Sequence, residues 1–143
     1  MPQPAHTATP LALALERIGD RWTLQLVAAL LDGPRRFGEL EEALGGIAPN
    51  VLSARLRALE RNALVVARPY SERPPRMVYE LTAPGRELAG ALRLLSDWGA
   101  RQGGGGERPR HEVCGTELRT VWWCETCAAP VEAPGEADEL HEV

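Results

Sequence analysis

Phe37-Gly38-Glu39-Leu40-Glu41-Glu42-Ala43-Leu44, then Gly45-Gly46-Ile47-Ala48-Pro49, then Asn50-Val51-Leu52-Ser53-Ala54-Arg55-Leu56-Arg57 is the stretch that decides the fold of this 143-residue chain. Its first block has helical period, with Leu40 and Leu44 inward and Glu39, Glu41 and Glu42 outward. Two glycines end that helix, and Ile47 is the apolar plug expected between two crossing helices. Pro49 suits the start of a second helix, in which Leu52, Leu56, Leu59 and Ala63 recur at spacings of four, three and four. Its other face carries Asn50, Ser53, Ala54, Arg57 and Arg61. A helix, a tight turn and a second helix with one apolar and one polar face is the outline of a helix-turn-helix.

Downstream, Leu64-Val65-Val66-Ala67-Arg68 and Met77-Val78-Tyr79-Glu80-Leu81 read as the strands of a hairpin. The proline-rich segment between them, 69–76, is expected to project as a tip outside the sheet, with Arg73 and Arg76 on it. Upstream, Arg35-Arg36-Phe37 is read as a brief strand able to pair with the hairpin, and Asp32-Gly33-Pro34 as the stop of a central, nearly all-apolar helix over about 21–31 whose polar interior positions are Thr23 and Gln25. Thr9-Pro10 reads as an N-cap and first helical residue of a short helix ending at Gly19. After Thr82 the pattern predicts one long helix bearing Leu88, Leu92, Leu95 and Trp98. The fold class is mainly α with a small β-hairpin wing (α+β), a winged helix-turn-helix.

Composition bounds what such a chain can be. With 44% hydrophobic residues it can bury one core of ordinary size. It has no run of about 18 apolar residues, and residues 1–10 combine neither a basic start nor an apolar stretch, so a cytoplasmic protein with no membrane partner is the expectation. The net charge of -4 conceals an asymmetry: residues 1–110 hold 15 Arg against 12 acids (+3), whereas 111–143 hold Arg119 against eight acids (-7). A mildly basic front part is compatible with a nucleic-acid partner if its arginines share a face. All 16 basic residues are arginine, which fits a GC-rich coding sequence and also supplies side chains suited to bidentate contacts with phosphate and guanine. No triad, nucleotide-binding loop or paired-carboxylate arrangement points to an enzyme.

These pieces together resemble the HxlR family of winged helix-turn-helix transcriptional regulators. The resemblance rests on Ile18-Gly19-Asp20-Arg21-Trp22-Thr23, on Leu31-Asp32-Gly33-Pro34-Arg35-Arg36-Phe37-Gly38-Glu39-Leu40, on Gly46-Ile47-Ala48-Pro49-Asn50-Val51-Leu52, on Arg55-Leu56-Arg57-Ala58-Leu59-Glu60 and on Pro75-Arg76-Met77-Val78-Tyr79-Glu80-Leu81-Thr82, in that order and spacing. It implies a homodimer on double-stranded DNA with a palindromic operator, its first and last helices forming the dimer contact. Two departures matter. Family members often carry cysteine before the proline of the first helix, where this chain has Thr9, which removes that route to redox sensing. They commonly carry serine before the proline of the reading helix, where this chain has Ala48, a lost side-chain cap worth about 1 kcal/mol.

In an arbitrary helix the face bearing Asn50, Ser53, Ala54 and Arg57 would be plain solvated surface; in this context Pro49, Asn50, Ser53, Ala54, Arg57 and Arg61 become candidate DNA contacts, with Arg73 and Arg76 on the wing. Arg55, Arg35 and Arg36 are read as flanking positions with phosphate contact or plain surface both open. Leu11, Leu15, Leu88, Leu92, Leu95 and Trp98 are core or dimer residues, and a small-molecule effector pocket between the dimer helices is the alternative use of that stripe.

The chain is organised as an N-terminal arm (1–10), a winged DNA-binding and dimerisation domain (11–101), a Gly-rich linker (102–110), a small module (111–132) and an acidic tail (133–143). The module holds His111-x2-Cys114 and Cys124-x2-Cys127. A Cys-x2-Cys turn aims two thiolates at one centre, and a preceding Cys and His can close a tetrahedral zinc site. The expected cytoplasmic location disfavours disulfides, and three cysteines leave an odd one in any case. A zinc-ribbon-like module with a structural zinc is the expectation, with His141 as the other candidate fourth ligand and free thiols as the alternative. A rival for the whole chain is a zinc-bearing protein-interaction module on a winged scaffold without specific DNA binding.

Overall fold

The structure is a computed structural model that describes residues 8–103 and 105–132. The expected arm over 1–7, Gly104 of the linker, the acidic tail and His141 lie outside the described residues. The chain divides into two compact units with the boundary between Arg93 and Leu94.

The first unit contains α1 (Pro10–Ile18), α2 (Thr23–Leu30), β1 (Arg35–Arg36), α3 (Phe37–Leu44), α4 (Pro49–Arg61), β2 (Val65–Glu72), β3 (Pro75–Leu81), α5 (Ala83–Arg86) and the start of α6 (Ala89–Arg101). Thr9 caps α1 through its hydroxyl, which accepts from the Ala12 N–H at 3.1 Å, with Pro10 at the first helical position. The central helix α2 contributes Leu26, Val27 and Leu30, all fully buried, and Leu40 and Leu44 of α3 and Leu52, Leu56 and Leu59 of α4 close around them. Ile47 plugs the corner between α3 and α4 as its position in the sequence suggests. Each such side chain contributes roughly 1.5–3 kcal/mol relative to exposure. The turn itself relies on glycine: Gly45 and Gly46 sit at φ of 38° and 90°, a region that side-chain-bearing residues rarely occupy.

A three-stranded antiparallel sheet in the order β1-β3-β2 completes the unit, with Arg35 opposite Tyr79 and Val65 opposite Leu81. The brief strand at Arg35–Arg36 is therefore real.

Four expectations are corrected. The central helix starts at Thr23, two residues later than the pattern suggests, because the Asp20 carboxylate accepts the Trp22 and Thr23 N–H groups at 2.9 and 3.1 Å and holds Arg21 and Trp22 in a turn; Gln25 faces solvent. Ala63 does not extend the buried stripe of α4. The helix ends at Arg61, Ala63 takes a positive φ of 56°, and the Leu64 N–H donates back to the Leu59 carbonyl at 2.9 Å, a glycine-type helix ending made with alanine. The wing strands run through the prolines that were expected to end them, pairing Pro69 with Met77 and Glu72 with Pro75 around an irregularity at Tyr70. β2 is an edge strand, and β1 covers β3 only at Val78 and Tyr79, so both prolines lie where a ladder donor is dispensable. Finally, the helix after Thr82 is two helices. Thr82 caps α5 through its hydroxyl, which accepts from Gly85 at 3.2 Å. Gly85 is buried so tightly that a Cβ would lie 2.2 Å from the Leu64 carbonyl oxygen, and the chain turns at Glu87 and Leu88 before α6 begins.

The second unit holds the rest of α6, an isolated bridge between Arg110 and Glu117, and an antiparallel pair of β4 (Trp122–Cys124) and β5 (Ala129–Val131). The Gly-rich linker does not mark the boundary: of the α6 stripe, Leu92 packs on the first core, following Leu88, while Leu95 and Trp98 are exposed. Among the described residues no helix is long and apolar enough to cross a membrane.

Candidate nucleic-acid interface

Burial of Leu52, Leu56 and Leu59 fixes which side of α4 faces outward. Asn50, Ala54, Arg57 and Arg61 are exposed along that side, with Ser53 half-buried at its margin and Pro49 exposed at its start. The first turn has no side-chain cap, since Ala48 offers none, and the first intrahelical bond is the Leu52 N–H donating to the Ala48 carbonyl at 2.9 Å. The remaining first-turn donors are thus available to an outside acceptor. On the wing, Arg73 and Arg76 are exposed at the hairpin end. Beside it lies an open groove of about 570 Å³ between the first turn of α3 and the sheet, with Arg36, Tyr70 and Arg76 among its lining residues.

Four arginines of this unit, Arg35, Arg55, Arg68 and Arg86, have acid partners. Arg35 turns inward: its Nε donates to the Ala29 carbonyl at 2.7 Å and its guanidinium lies 3.8 Å from Asp32. Arg55 reaches Asp20 at 3.5 Å, too long for a good hydrogen bond, so its buried Nε has charge but no close acceptor. Arg68 and Arg86 share Glu80, each at 3.5 Å. By contrast Arg57, Arg61, Arg73 and Arg76 make no ion pair among the described residues. Arg36 is exposed and stacks over the Tyr70 ring at 4.4 Å, while Glu39 accepts its backbone N–H at 2.6 Å.

Two of these features escape a linear reading. The Asp20–Arg55 pair ties α4 to the turn before α2. Burial of the Asp20 carboxyl would raise its pKa, but the Thr23 hydroxyl, the Trp22 and Thr23 N–H groups and Arg55 together hold it below the ordinary value. The Arg36–Tyr70 stack fixes a cation at the base of the wing, and only strand alternation, Arg35 in and Arg36 out, could have separated it from its neighbour.

The residues assigned to dimer contacts are found in two settings. Leu88 and Leu92 are half-buried against the core of their own chain, whereas Leu11, Leu15, Leu95 and Trp98 are 51–68% exposed.

In the second unit His111 Nδ1 and Cys114 Sγ lie 3.2 Å apart, and the Thr116 hydroxyl is 3.2 Å from the same sulfur. Hydrogen bonds from the Thr116 hydroxyl and N–H, and from His111, bring the Cys114 thiol down to about 7. Cys124 is lowered by the Cys127 N–H, the Cys127 thiol and the Thr126 N–H. All three cysteines are unbridged. Among the described residues no three His, Cys, Asp or Glu side chains converge on one centre, so the four expected ligands stand as two pairs.

Comparison with known proteins adds an independent line. The HxlR-like helix-turn-helix family profile matches residues 17–106. The uncharacterised HTH-type transcriptional regulator Rv3095 of Mycobacterium tuberculosis is 39% identical over 124 residues, covering 84% of this chain and 78% of that protein. Among solved structures, PA1607 superposes with a TM-score of 0.73 at 31% identity over 90% of this chain and 92% of its own. The redox regulator HypR in its reduced form gives 0.62 at 31% identity over 66% and 93%.

Proposed function

The chain belongs to the HxlR-like helix-turn-helix family, and from that premise we propose that it is a sequence-specific DNA-binding transcriptional regulator acting as a homodimer on a palindromic operator. The observation that carries the reading is where acid-free arginines stand. Arg35, Arg55, Arg68 and Arg86 are tied to Asp32, Asp20 or Glu80, while Arg57 and Arg61 on the outward side of α4 and Arg73 and Arg76 on the wing are exposed with no acid partner among the described residues. Unpaired guanidiniums on an exposed face are what a phosphate backbone requires.

In this reading α4 enters the major groove by its amino end. Asn50 and Ser53 reach base edges or phosphates, Ala54 keeps the helix surface low, and Arg57 takes phosphate or guanine according to the tilt of the helix. The uncapped first turn favours a phosphate oxygen in place of the missing serine. Arg73 and Arg76 grip the backbone beside the groove, and Arg61 extends the contact along α4. The exposed Leu11 and Leu15 on α1 and Leu95 and Trp98 on α6 supply apolar surface for a second copy, and two copies would read half-sites about one DNA turn apart. Residues 111–132 form an appendage that takes a structural zinc ion. HypR is a redox regulator, but every cysteine of this chain lies between 114 and 127, so no thiol switch is assigned to the winged unit.

Retardation of the duplex upstream of its own gene by the purified chain tests the reading. Specific retardation that Arg57→Ala abolishes is the expected result. A chain that retards no duplex, or retards all equally with or without Arg57, would transfer support to the protein-interaction alternative.

A further inference from the structure

We propose that residues 110–132 are a zinc module assembled from two matched turns, His111-x2-Cys114 and Cys124-x2-Cys127, which close on one tetrahedral ion. The inference is independent of the DNA-binding reading, and the family match ends at residue 106, before the first ligand.

The need for an ion follows from burial. No described residue from 105 to 132 is buried, and only Cys124 and Ala129 are even partly covered. Trp122 and Trp123 stay 56% and 55% exposed. The regular structure is one isolated bridge and two three-residue strands. A lone hairpin is marginal in water, and segments below about 40 residues usually depend on a disulfide, a metal or a partner. Disulfides are absent, the three thiols being free. Surface ion pairs, such as those joining Glu117 to Arg108 and Arg110 at 3.7 and 3.2 Å, contribute little on their own.

The capacity for an ion follows from the turns. In both, the residue after the second ligand takes a positive φ. In the first, Cys114 is followed by Gly115 at φ 70°, whose N–H donates to the His111 carbonyl at 2.8 Å. In the second, Cys127 is followed by Ala128 at φ 47°, a conformation uncommon for a residue with a Cβ. The first turn also sets the Thr116 hydroxyl 3.2 Å from the Cys114 sulfur. Hydrogen bonds of this kind orient metal-bound thiolates and spread their charge. The ligand pair in the first turn also has the right edge. Bonds of about 2.0 Å to nitrogen and 2.3 Å to sulfur at a tetrahedral angle separate the two ligand atoms by about 3.5 Å. His111 Nδ1 and Cys114 Sγ are 3.2 Å apart.

The two turns supply two ligands each, and the β4–β5 pair holds the second. No three of the four side chains share a centre among the described residues, so a single ion on all four requires the two turns to close on it. Three thiolates and one imidazole fill a tetrahedron and leave no open position, so the ion is structural and activates no water.

The test uses the full chain. Metal analysis of the purified protein is expected to give about one zinc per chain, falling to background in Cys124→Ser. Cobalt added to the metal-free chain should produce the visible bands of a tetrahedral site and a thiolate charge-transfer band, with the visible bands altered in His111→Ala. Far-UV circular dichroism and duplex retardation on the same samples report the winged unit, so a folding failure there or a failure of the DNA reading is seen separately. Zinc well below one per chain together with no cobalt charge-transfer band would overturn the proposal. Full zinc retention in Cys124→Ser would do the same, and cobalt bands unchanged in His111→Ala would overturn the ligand set.

Discussion

In the winged unit Leu26, Val27, Leu30, Leu40 and Leu52 are removed from water entirely, whereas between residues 105 and 132 nothing described is buried. One chain thus contains a region stabilised by apolar packing and another in which turns, short strands and surface ion pairs are all that the side chains supply. The difference teaches where each kind of function belongs. A packed core can hold a helix face rigid while leaving Arg57, Arg61, Arg73 and Arg76 free for a polyanion. A coreless appendage has its chemistry in its ligand-type side chains.

The largest effect expected from breaking this contrast lies in the core. Leu56→Ala removes an α4 side chain that is 1% exposed in the core cluster. It should cost about 2–5 kcal/mol, read by denaturant unfolding, while Glu117→Ala in the appendage should leave the same transition in place. Equal effects from the two would remove the distinction.

Next is the interface. Arg57→Ala should weaken operator binding by about 1–3 kcal/mol if the guanidinium reads a guanine. Arg73→Ala should instead weaken binding to all sequences and lower the salt slope by about 1. Affinity measured across a salt series separates them, and an unchanged slope for Arg73→Ala would take the wing out of the contact.

A smaller change is expected at the brace of the reading helix. Asp20→Ala removes the acceptor for the Trp22 and Thr23 N–H groups and the partner of Arg55. A loss of about 1 kcal/mol is expected from the capping contacts. Because the folded state lowers the Asp20 pKa from 3.8, its contribution is fully present above that value and is lost as the pH falls below it toward the folded-state pKa. Acid unfolding of wild type and Asp20→Ala should therefore converge at low pH. Parallel curves would show that Asp20 carries no such linkage.

The smallest is Ala48→Ser, which restores a cap to the first turn of α4. It should add about 0.5–1 kcal/mol by thermal melting, and no gain would mean that the first-turn N–H groups already have a partner.

Much of this was legible in the chain because the decisive signals are local. The Leu40 to Leu59 pattern, the Gly45-Gly46 break, the Thr9 and Thr82 caps and the outward face of α4 each depend on residues within a turn or two of one another. Tertiary neighbours governed the rest. Whether Pro69 and Pro75 stop a strand depends on β1 covering only two residues of β3, and Ala63 leaves α4 because the wing strand begins right behind it. Arg35, Arg36 and Arg55 look alike in sequence, but Arg35 and Arg55 are turned inward by partners at Ala29 and Asp20. Whether His111, Cys114, Cys124 and Cys127 meet likewise depends on contacts that spacing alone does not specify, and among the described residues they stand as two pairs.

Selection of binding sites from a random duplex pool by the purified full chain tests the central claim most directly. The account predicts enrichment of two-fold symmetric sites with half-sites about one helical turn apart, lost in Arg57→Ala. A pool that stays random after selection at low salt, with wild type and Arg57→Ala retaining duplex alike, would contradict it.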